Sequence, residues 1–159
     1  MRQLILTRHA KSDWGDPLLA DHDRPLNARG LRDAPHMARY LAIDGLVIDR
    51  IISSTALRAR TTAEAFGTEF DVPVELDVEL YHAPARTLLR KAAATDASSV
   101  MVVAHNPGIS ELAALLSNDG ISHMPTCAVA CFVWEVDSWN EAITHPTEVW
   151  SFDSPKSHT

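Results

Sequence analysis

The architecture is most clearly indicated by the stretch Leu4-Ile5-Leu6-Thr7-Arg8-His9-Ala10-Lys11-Ser12, in which an apolar run leads directly into an Arg–His pair. Residues 3–7 are short, apolar and rich in β-forming types, so they predict a buried strand. Open α/β sheets place their ligand sites at the carboxyl ends of their strands. The guanidinium of Arg8 can bind an anion there, and the imidazole of His9 can act as a nucleophile or transfer a proton.

Strand-like and helix-like segments alternate over residues 3–116. Further strands are predicted at residues 51–52, 72–76 and 100–104, and helices at residues 27–44, 56–70, 88–94 and 108–116. Pro73 predicts that the strand at 72–76 lies at an edge of the sheet, because proline cannot donate to a neighbouring strand. The alternation predicts an α/β fold with a mostly parallel, doubly wound sheet, that is, a three-layer α/β/α sandwich.

The first connection and the first helix contain the strongest turn and cap signals. Residues 10–26 are polar and contain Gly15 and two prolines, which predicts a long loop. Asn27 can cap the helix that follows, whose predicted buried face consists of Leu31, Ala34, Ala38 and Leu41. Pro35 lies inside this segment, so we expect it either to kink the helix or to mark its true start.

The C-terminal part has a different pattern. Residues 129–136 and 148–152 alternate as strands, and no helix is predicted between them, so they should pair in antiparallel fashion. Residues 137–147 are expected to form a turn or short loop. A chain of 159 residues suggests one domain, which we place at residues 1–153, followed by a loose polar tail at residues 154–159.

Composition restricts the possible partners and compartments. The formal net charge of −7 disfavours binding to nucleic acid or to anionic membranes, so a phosphate site would need locally concentrated positive charge. The two cysteines, Cys127 and Cys131, are too few for a secreted disulfide scaffold and are expected to be buried apolar residues. No segment approaches the ~18 apolar residues of a membrane span, and the N-terminus resembles a strand more than a signal peptide. We therefore expect a cytoplasmic protein.

Polar and basic residues follow three of the predicted strands. Arg8 and His9 follow the first strand, Arg58 lies shortly after the second, and His105 and Asn106 follow the strand at 100–104. Because the carboxyl ends of parallel strands meet at one edge, we expect these side chains to converge. Two guanidinium groups suit a tetrahedral oxyanion, Asn106 adds a neutral donor, and the two histidines add nucleophilic or acid–base capacity.

These residues resemble the histidine phosphatase superfamily, which has the phosphoglycerate-mutase-like fold. The resemblance rests on Arg8-His9, on Ser53-Ser54-x-x-x-Arg58-Ala59-x-x-Thr62-Ala63 and on His105-Asn106, and it extends over residues 3–117. Within the superfamily, Asp23-Arg24-Pro25-Leu26-Asn27-x-x-Gly30 and Ala104-His105-Asn106-Pro107-Gly108 resemble the compact SixA-type phosphohistidine phosphatases. Ala10 stands where the common superfamily motif has glycine, as in the SixA-like branch.

The resemblance implies a role for each matching residue. His9 would be the nucleophile that becomes phosphorylated, and Arg8, Arg58 and His105 would surround the phosphoryl oxygens. Ser12 and Asn106 would be further phosphate-binding residues. The same resemblance implies a phosphatase that needs no cofactor and no metal.

The general acid is less clearly indicated. Glu79 lies in the region from which larger members of the superfamily supply a carboxylate, although a solvent-facing glutamate is an equally good interpretation. Asp13, Asp21 and Asp23 could also approach the site on the first loop. A phosphohistidine substrate would reduce the need for an acid, because imidazole is a better leaving group than an alkoxide. His82 can line the entrance, but we expect an exposed loop residue.

Several functions remain open at this point. The expected partner is a phosphorylated protein, such as a phosphotransfer domain, or else a small phosphoester. A metal-dependent hydrolase would use His9, His105 and an aspartate of the first loop, although two arginines would repel a divalent cation and no HxH or HExxH spacing occurs. A module that binds phosphorylated partners without turnover could use the same arginines.

Overall fold

The first strand lies at the centre of a six-stranded sheet. The structure, a computed structural model, describes residues 1–158. Strand β1 (Arg2–Arg8) pairs in parallel with β4 (Ser99–Ala104) and in antiparallel fashion with β5 (Val129–Trp134). The strand order is β3-β2-β4-β1-β5-β6, so the carboxyl ends of β1, β2 and β4 meet at one edge of the sheet.

The remaining elements follow the predicted alternation closely. The other strands are β2 (Arg50–Ser53), β3 (Val74–Leu76) and β6 (Val149–Asp153). The helices are α1 (Ala28–Ile43), α2 (Leu57–Phe70), α3 (Ala85–Ala94), α4 (Gly108–Leu116) and the short α5 (Trp139–Ala142). Short 3₁₀ turns occupy Asp21–Asp23, Val78–Leu80 and Pro155–His158. Within residues 1–158 no helix is long and apolar enough to cross a membrane.

Two apolar cores cover the two faces of the sheet. Side chains alternate along a strand, so Leu4 and Leu6 pack with helices α3 and α4, whereas Ile5 packs with α1 and α2. All three side chains are fully buried. This arrangement confirms the predicted three-layer α/β/α fold with a mostly parallel sheet, and β3 lies at the edge that Pro73 predicted.

Helix α1 begins where its cap predicts. The side chain of Asn27 accepts a hydrogen bond from the backbone N–H of Gly30 at 2.9 Å, which satisfies one of the free donors of the first turn. The helix continues through Pro35, so the prediction that this proline marks its start is wrong. The prediction that Leu31 belongs to the buried face is wrong, because its side chain is 56% exposed. Met37 is a buried residue of this helix that was not predicted.

The C-terminal strands are antiparallel, as predicted, but the connection between them is more ordered than expected. Helix α5 lies inside the segment that was predicted to be a turn or loop. It forms because the Ser138 hydroxyl caps it and because Trp139 is buried, with its indole N–H donating to the carbonyl of Ala97 at 2.7 Å. This burial depends on tertiary contacts that local sequence does not reveal.

The prediction of a loose tail is wrong for residues 155–158, which form a 3₁₀ turn. His158 Nε2 lies 2.7 Å from a carboxylate oxygen of Asp153, and its ring lies 3.5 Å from that of Tyr40 on α1. These contacts attach the segment to the body of the protein. Thr159, the last residue of the predicted tail, lies outside the described residues.

The two cysteines are buried, as predicted. Cys127 is 0% exposed and Cys131 is 8% exposed, and neither forms a disulfide. Burial raises the pKa of the Cys127 thiol to about 12 and that of the Cys131 thiol to about 11. Both thiols therefore remain protonated and behave as small apolar groups.

Candidate active site

A pocket of about 220 Å³ opens at the carboxyl edge of the sheet, where β1, β2 and β4 end. Six of the seven site residues predicted from the sequence line it: Arg8, His9, Ser12, Arg58, His105 and Asn106. The lining is completed by Lys11, Trp14, Asp21, Arg24, His82 and Thr126. Four cationic side chains and one carboxylate therefore surround this space, which gives an acidic protein a locally positive pocket.

The backbone of His9 is held by strands on both sides. Its N–H donates to the carbonyl of Ala104 at 3.1 Å, and its own carbonyl accepts from the N–H of Cys127 at 3.0 Å. The ring is fixed as well, since Nδ1 lies 2.8 Å from the carbonyl oxygen of Ala10. A carbonyl can only accept, so Nδ1 must carry the proton and the lone pair of the neutral ring lies on Nε2.

The imidazole of His9 stays neutral over a wide pH range. Burial is the largest cause that lowers its pKa to about 3, and the positive charge of Arg58 acts in the same direction. The residue is only 7% exposed. A buried, neutral imidazole with a fixed tautomer is a competent nucleophile at neutral pH.

His105 presents a second buried imidazole beside the first. The two ring centroids are 5.1 Å apart, and burial is the largest cause that lowers the pKa of His105 to about 2. Its Nε2 lies 2.7 Å from the hydroxyl of Ser54, which also accepts from the N–H of Ala56. If that hydroxyl donates to Nε2, Nδ1 carries the proton. Nδ1 is buried and has no partner among the described residues, so in that tautomer it is a free donor.

The two predicted arginines also carry unused donors. The Nε atoms of Arg8 and Arg58 are both buried and have no hydrogen-bond partner within the described residues. Arg8 donates through another nitrogen to the carbonyl of Met124 at 3.2 Å, and burial followed by the charge of Arg58 lowers the pKa of its guanidinium. Buried polar groups are normally paired. Unpaired donors at this edge indicate a site that an anion would complete.

Arg24 is a further cation of the pocket that sequence analysis did not assign to it. It is 8% exposed, donates to the hydroxyl of Ser12, and lies 3.7 Å from the centroid of the Trp14 ring. The cation–π contact holds its charge over the pocket wall. Ser12 is held in the same place by a bridge to Leu26, at the two ends of the first loop.

Asp21 is the carboxylate that the structure brings to the pocket. One oxygen accepts from Arg24 at 2.7 Å, and the other accepts from Arg58 at 2.9 Å and from the hydroxyl of Tyr81 at 2.5 Å. Burial raises the pKa of Asp21, but the hydrogen bonds from Tyr81, Arg24 and Arg58 outweigh it and hold that pKa well below its usual range. The carboxylate therefore remains ionised and orients Arg58.

Side-chain hydrogen bonds hold Asn106 just after the carboxyl end of β4. Its amide nitrogen donates to the carbonyl of Met124 at 3.1 Å, and its amide oxygen accepts from the hydroxyl of Ser110 at 2.5 Å. The hydroxyl of Ser110 also accepts from the N–H of Met124 at 2.9 Å. This ring of contacts fixes Asn106 beside His105.

Glu79, the seventh predicted site residue, does not line the pocket. It lies in the 3₁₀ turn Val78–Leu80, its side chain is 58% exposed, and its carboxylate pairs with Lys91 on α3. The interpretation of Glu79 as a solvent-facing glutamate is the one that this placement favours. Asp13 and Asp23, two further candidates on the first loop, are likewise absent from the pocket lining.

His82 lines the pocket and is also the exposed loop residue that was expected, with a side chain that is 54% exposed. Its backbone has a φ of 55°, in the left-handed region that few non-glycine residues adopt. The adjoining Ala83 carbonyl packs against Gly108, where any Cβ would collide with it. The glycine at the start of α4 thus permits the close approach that carries His82 into the pocket.

Loops supply the lining residues to which the sequence assigned no phosphate-binding role, although Asp21 and His82 were named as residues that could approach the site. Asp21, Arg24 and His82 belong to segments that return to the strand ends only through long-range contacts. The sequence did contain a signal for Arg24, because this residue belongs to the stretch Asp23-Arg24-Pro25-Leu26-Asn27-x-x-Gly30 that resembles the SixA-type proteins. No comparable local signal identifies His82.

His9, His105 and an aspartate of the first loop, which a metal-dependent hydrolase would use, do not form a metal-binding group in the part of the chain that the structure describes. Within residues 1–158 no group of three or more histidine, cysteine, aspartate or glutamate side chains is arranged to hold a metal ion. Asp21, the aspartate that reaches the pocket, is bonded to Arg58 and Arg24.

Comparison with known proteins identifies the family of this chain. The sequence model of the histidine phosphatase superfamily (branch 1) matches residues 4–83. An uncharacterised chloroplastic protein of Arabidopsis thaliana is 35% identical over 154 residues, which make up 89% of this chain and 70% of that protein.

Two solved structures of the same architecture extend the comparison to the whole chain. A proposed phosphohistidine phosphatase SixA from Nakamurella multipartitia superposes with a TM-score of 0.85 at 29% identity, covering 97% of this chain and 96% of that one. A proposed phosphohistidine phosphatase SixA from Agrobacterium tumefaciens gives 0.77 at 30% identity, covering 95% and 94%. The family match, the fold and the order of the motifs agree, and the chain belongs to the histidine phosphatase superfamily, in its SixA-type branch.

Proposed function

We propose that this protein is a phosphatase that hydrolyses a phosphoryl group through a covalent phosphohistidine on His9, without a cofactor. The observation that carries the proposal is the set of unpaired buried donors on Arg8, Arg58 and His105 around a histidine whose Nε2 is free. Membership of the superfamily and the SixA-type relatives support phosphatase activity.

The proposed reaction requires positioning and charge neutralisation more than covalent help from further groups. Nε2 of His9 attacks phosphorus in line with the leaving group. Arg8, Arg58 and His105 donate to the three equatorial oxygens, and Ser12 and Asn106 are additional phosphate-binding residues. Since burial keeps His9 neutral, no proton has to be removed before attack.

We further propose that the substrate is a phosphohistidine on the surface of a protein. The first loop supports this choice, because Trp14, which lines the pocket, is 71% exposed and Leu18 of the same loop is 93% exposed. Exposed apolar side chains next to a reactive site are typical of surfaces that contact another protein. The SixA-type relatives are described as phosphohistidine phosphatases, which agrees with this substrate class.

Trapping of the phosphoenzyme tests the nucleophile. Wild-type protein is incubated with a labelled phosphodonor and quenched, and label that is labile in acid and stable in alkali is counted. We expect stoichiometric labelling of the wild type and of His36→Ala, which changes an exposed histidine on α1. His9→Ala should take up no label. Equal labelling of His9→Ala would show that another group is the nucleophile.

A panel of substrates tests the proposed specificity. Phosphohistidine protein, phosphoamino acids and sugar phosphates are compared by phosphate release from wild type and His9→Ala. The highest kcat/KM is expected for the phosphohistidine protein. A higher kcat/KM for a sugar phosphate would show that the substrate is a small phosphomonoester and not a phosphohistidine protein. Tight binding without turnover of any substrate would instead identify a recognition module.

A further inference from the structure

The most informative unassigned group is a histidine–aspartate pair at the edge of the pocket. His82 Nε2 lies 3.2 Å from a carboxylate oxygen of Asp21, and the side chain of His82 is half-exposed. Its ring centroid is 5.4 Å from that of His105, which is in turn 5.1 Å from that of His9. Three imidazoles thus form a continuous row from the solvent edge to the proposed nucleophile.

We propose that His82, oriented by Asp21, is the general acid that protonates the leaving group and the base that activates water. The inference rests on the proposed phosphatase function and assigns the one role in it that was still vacant. An ionised carboxylate that accepts from one ring nitrogen fixes the imidazole and stabilises its protonated form. This arrangement leaves Nδ1 of His82 as the nitrogen that exchanges a proton with substrate or water.

The carboxylates of the site are less suited to this role. Asp21 accepts hydrogen bonds from Arg24, Arg58 and Tyr81, which hold its pKa well below the usual range, so it is ionised when an acid is needed. Glu79 pairs with Lys91 outside the pocket. Of the three imidazoles in the pocket, His9 and His105 are deeply buried, which lowers their pKa values to about 3 and about 2, whereas His82 is half-exposed.

The groups that pack against His82 are one carboxylate and two aromatic rings. Asp21 supplies the nearest charge, and the ring of Tyr81 packs against it with centroids 4.1 Å apart. The ring of His105 lies on the pocket side and is neutral, because burial lowers its pKa to about 2. Arg58 is the cation on the far side of Asp21, with its guanidinium 2.9 Å from that carboxylate.

The backbone around His82 is also unusual. Its φ of 55° requires the left-handed conformation, which costs free energy for a residue with a side chain. The packing of Ala83 against Gly108 holds this conformation in place. The strained backbone turns His82 toward the pocket, where it joins the lining.

The chemistry balances in two steps. The lone pair of His9 Nε2 forms the N–P bond while the bond from phosphorus to the leaving oxygen or nitrogen breaks, and the leaving atom takes a proton from His82. A water molecule then attacks phosphorus and gives one proton to His82. The N–P bond breaks, its electron pair returns to His9, and inorganic phosphate leaves with His82 protonated again.

Dependence on the leaving group tests the assignment. The variant is His82→Asn, because asparagine tolerates the left-handed backbone but cannot transfer a proton. Aryl and alkyl phosphates with leaving groups of different pKa are compared by kcat/KM, which reports the step that forms phospho-His9. We expect kcat/KM to fall about 100-fold for an alkyl phosphate and less than about threefold for p-nitrophenyl phosphate, whose leaving group needs no proton.

The control and the pH profile separate catalysis from structure. His22→Gln alters a nearby histidine that hydrogen-bonds Thr55 at 2.7 Å and lies outside the pocket lining, and it should leave the leaving-group dependence unchanged. In the wild type, kcat/KM for alkyl phosphates should fall at high pH. In His82→Asn this decrease at high pH should be absent. An equal loss of rate for every substrate would assign His82 a merely structural role and overturn the inference.

The same measurements distinguish this inference from the proposed function. If wild type and His82→Asn are both active and their kcat/KM depends equally on the pKa of the leaving group, His82 is not the acid. The proposed phosphatase function would still stand. A wild-type protein that releases phosphate from none of these substrates, and forms no phosphoenzyme, removes both proposals.

Discussion

At the scale of single residues, the pocket combines neutral histidines with permanent positive charge. The neutrality of His9 and His105 follows from burial, because burying a charged imidazole among arginines costs free energy. The same burial makes the fold sensitive to acid. An unfolded chain exposes both rings to water, where each takes up a proton near its ordinary pKa of 6.5.

The stability of the protein should therefore fall as the pH drops below 6.5. The pKa of His9 is lower in the folded state, so the unfolded state binds more protons between pH 6.5 and about 3, and stability rises with pH in that window. Between pH 6.5 and 5 the contribution of His9 is about 2 kcal/mol. Urea unfolding at pH 5, 6 and 7 gives the free energy of unfolding at each pH, and this free energy should change less with pH in His9→Asn than in the wild type. The exposed-site variant His36→Asn should keep the wild-type dependence on pH.

At the scale of elements, the site depends on two close approaches of backbone to backbone. Gly30 lies in the first turn of α1 against the carbonyl of Lys11, and Gly108 opens α4 against the carbonyl of Ala83. A side chain at either glycine would separate a helix from the loop that lines the pocket. The helices therefore act as supports that hold the loops at the strand ends.

Replacement of Gly108 tests this dependence. Gly108→Ala places a methyl group against the Ala83 carbonyl, so we expect the free energy of unfolding to fall by about 1–3 kcal/mol. The shift also displaces His82 and His105, so phosphate release should fall for every substrate, and it should fall most for alkyl phosphates, whose leaving group needs the proposed acid. Leu115→Ala, at a 65% exposed position of the same helix, is the matched control and should change neither quantity. Unchanged activity in Gly108→Ala would contradict the supporting role.

At the scale of the whole molecule, charge is distributed unevenly. The chain carries a net charge of −7, yet Arg8, Lys11, Arg24 and Arg58 all line one pocket. An inorganic oxyanion that binds there stabilises the folded state but not the unfolded chain. Such stabilisation depends on the concentration of the anion and not on turnover.

Thermal unfolding in the presence of vanadate measures this binding. At a concentration 100-fold above Kd, the anion should stabilise the wild type by about 2.7 kcal/mol. Arg58→Ala should show little or no shift in Tm, because it removes an unpaired buried donor and a central charge. Arg86→Ala removes an exposed arginine of α3 outside the pocket and should retain the full shift. Equal shifts in both variants would place the anion elsewhere.

The sequence predicted most of the fold and the cationic core of the site, for one physical reason. Strand periodicity is local, and parallel strands bring their carboxyl ends together, so Arg8, Arg58 and His105 could be placed without knowing any loop. Glu79 was assigned by its position after β3, but the nearby Lys91 attracts its carboxylate away from the pocket. Helix α5 was missed because it depends on the burial of Trp139.

For a related reason, the sequence named His82 and Asp21 as residues that could approach the site but gave no means of choosing them over Asp13 and Asp23. His82 and Asp21 each lie in a connecting segment whose path is set by contacts far away in the chain, such as the hydrogen bond from Tyr81 to Asp21. Turn residues indicate where a loop bends but not which strand end it approaches. The side chains that select and protonate a substrate are therefore the ones that a sequence reveals last.

The central position of β1 has a consequence for the growing polypeptide. Residues 2–8 leave the ribosome before either strand that pairs with them, because those strands come later in the chain, at residues 99–104 and 129–134. Until β5 has been made, the backbone of His9 lacks the partner that Cys127 provides. A nascent chain therefore carries the proposed nucleophile long before it has a complete site, and the proposed activity can appear only after β5 has been made.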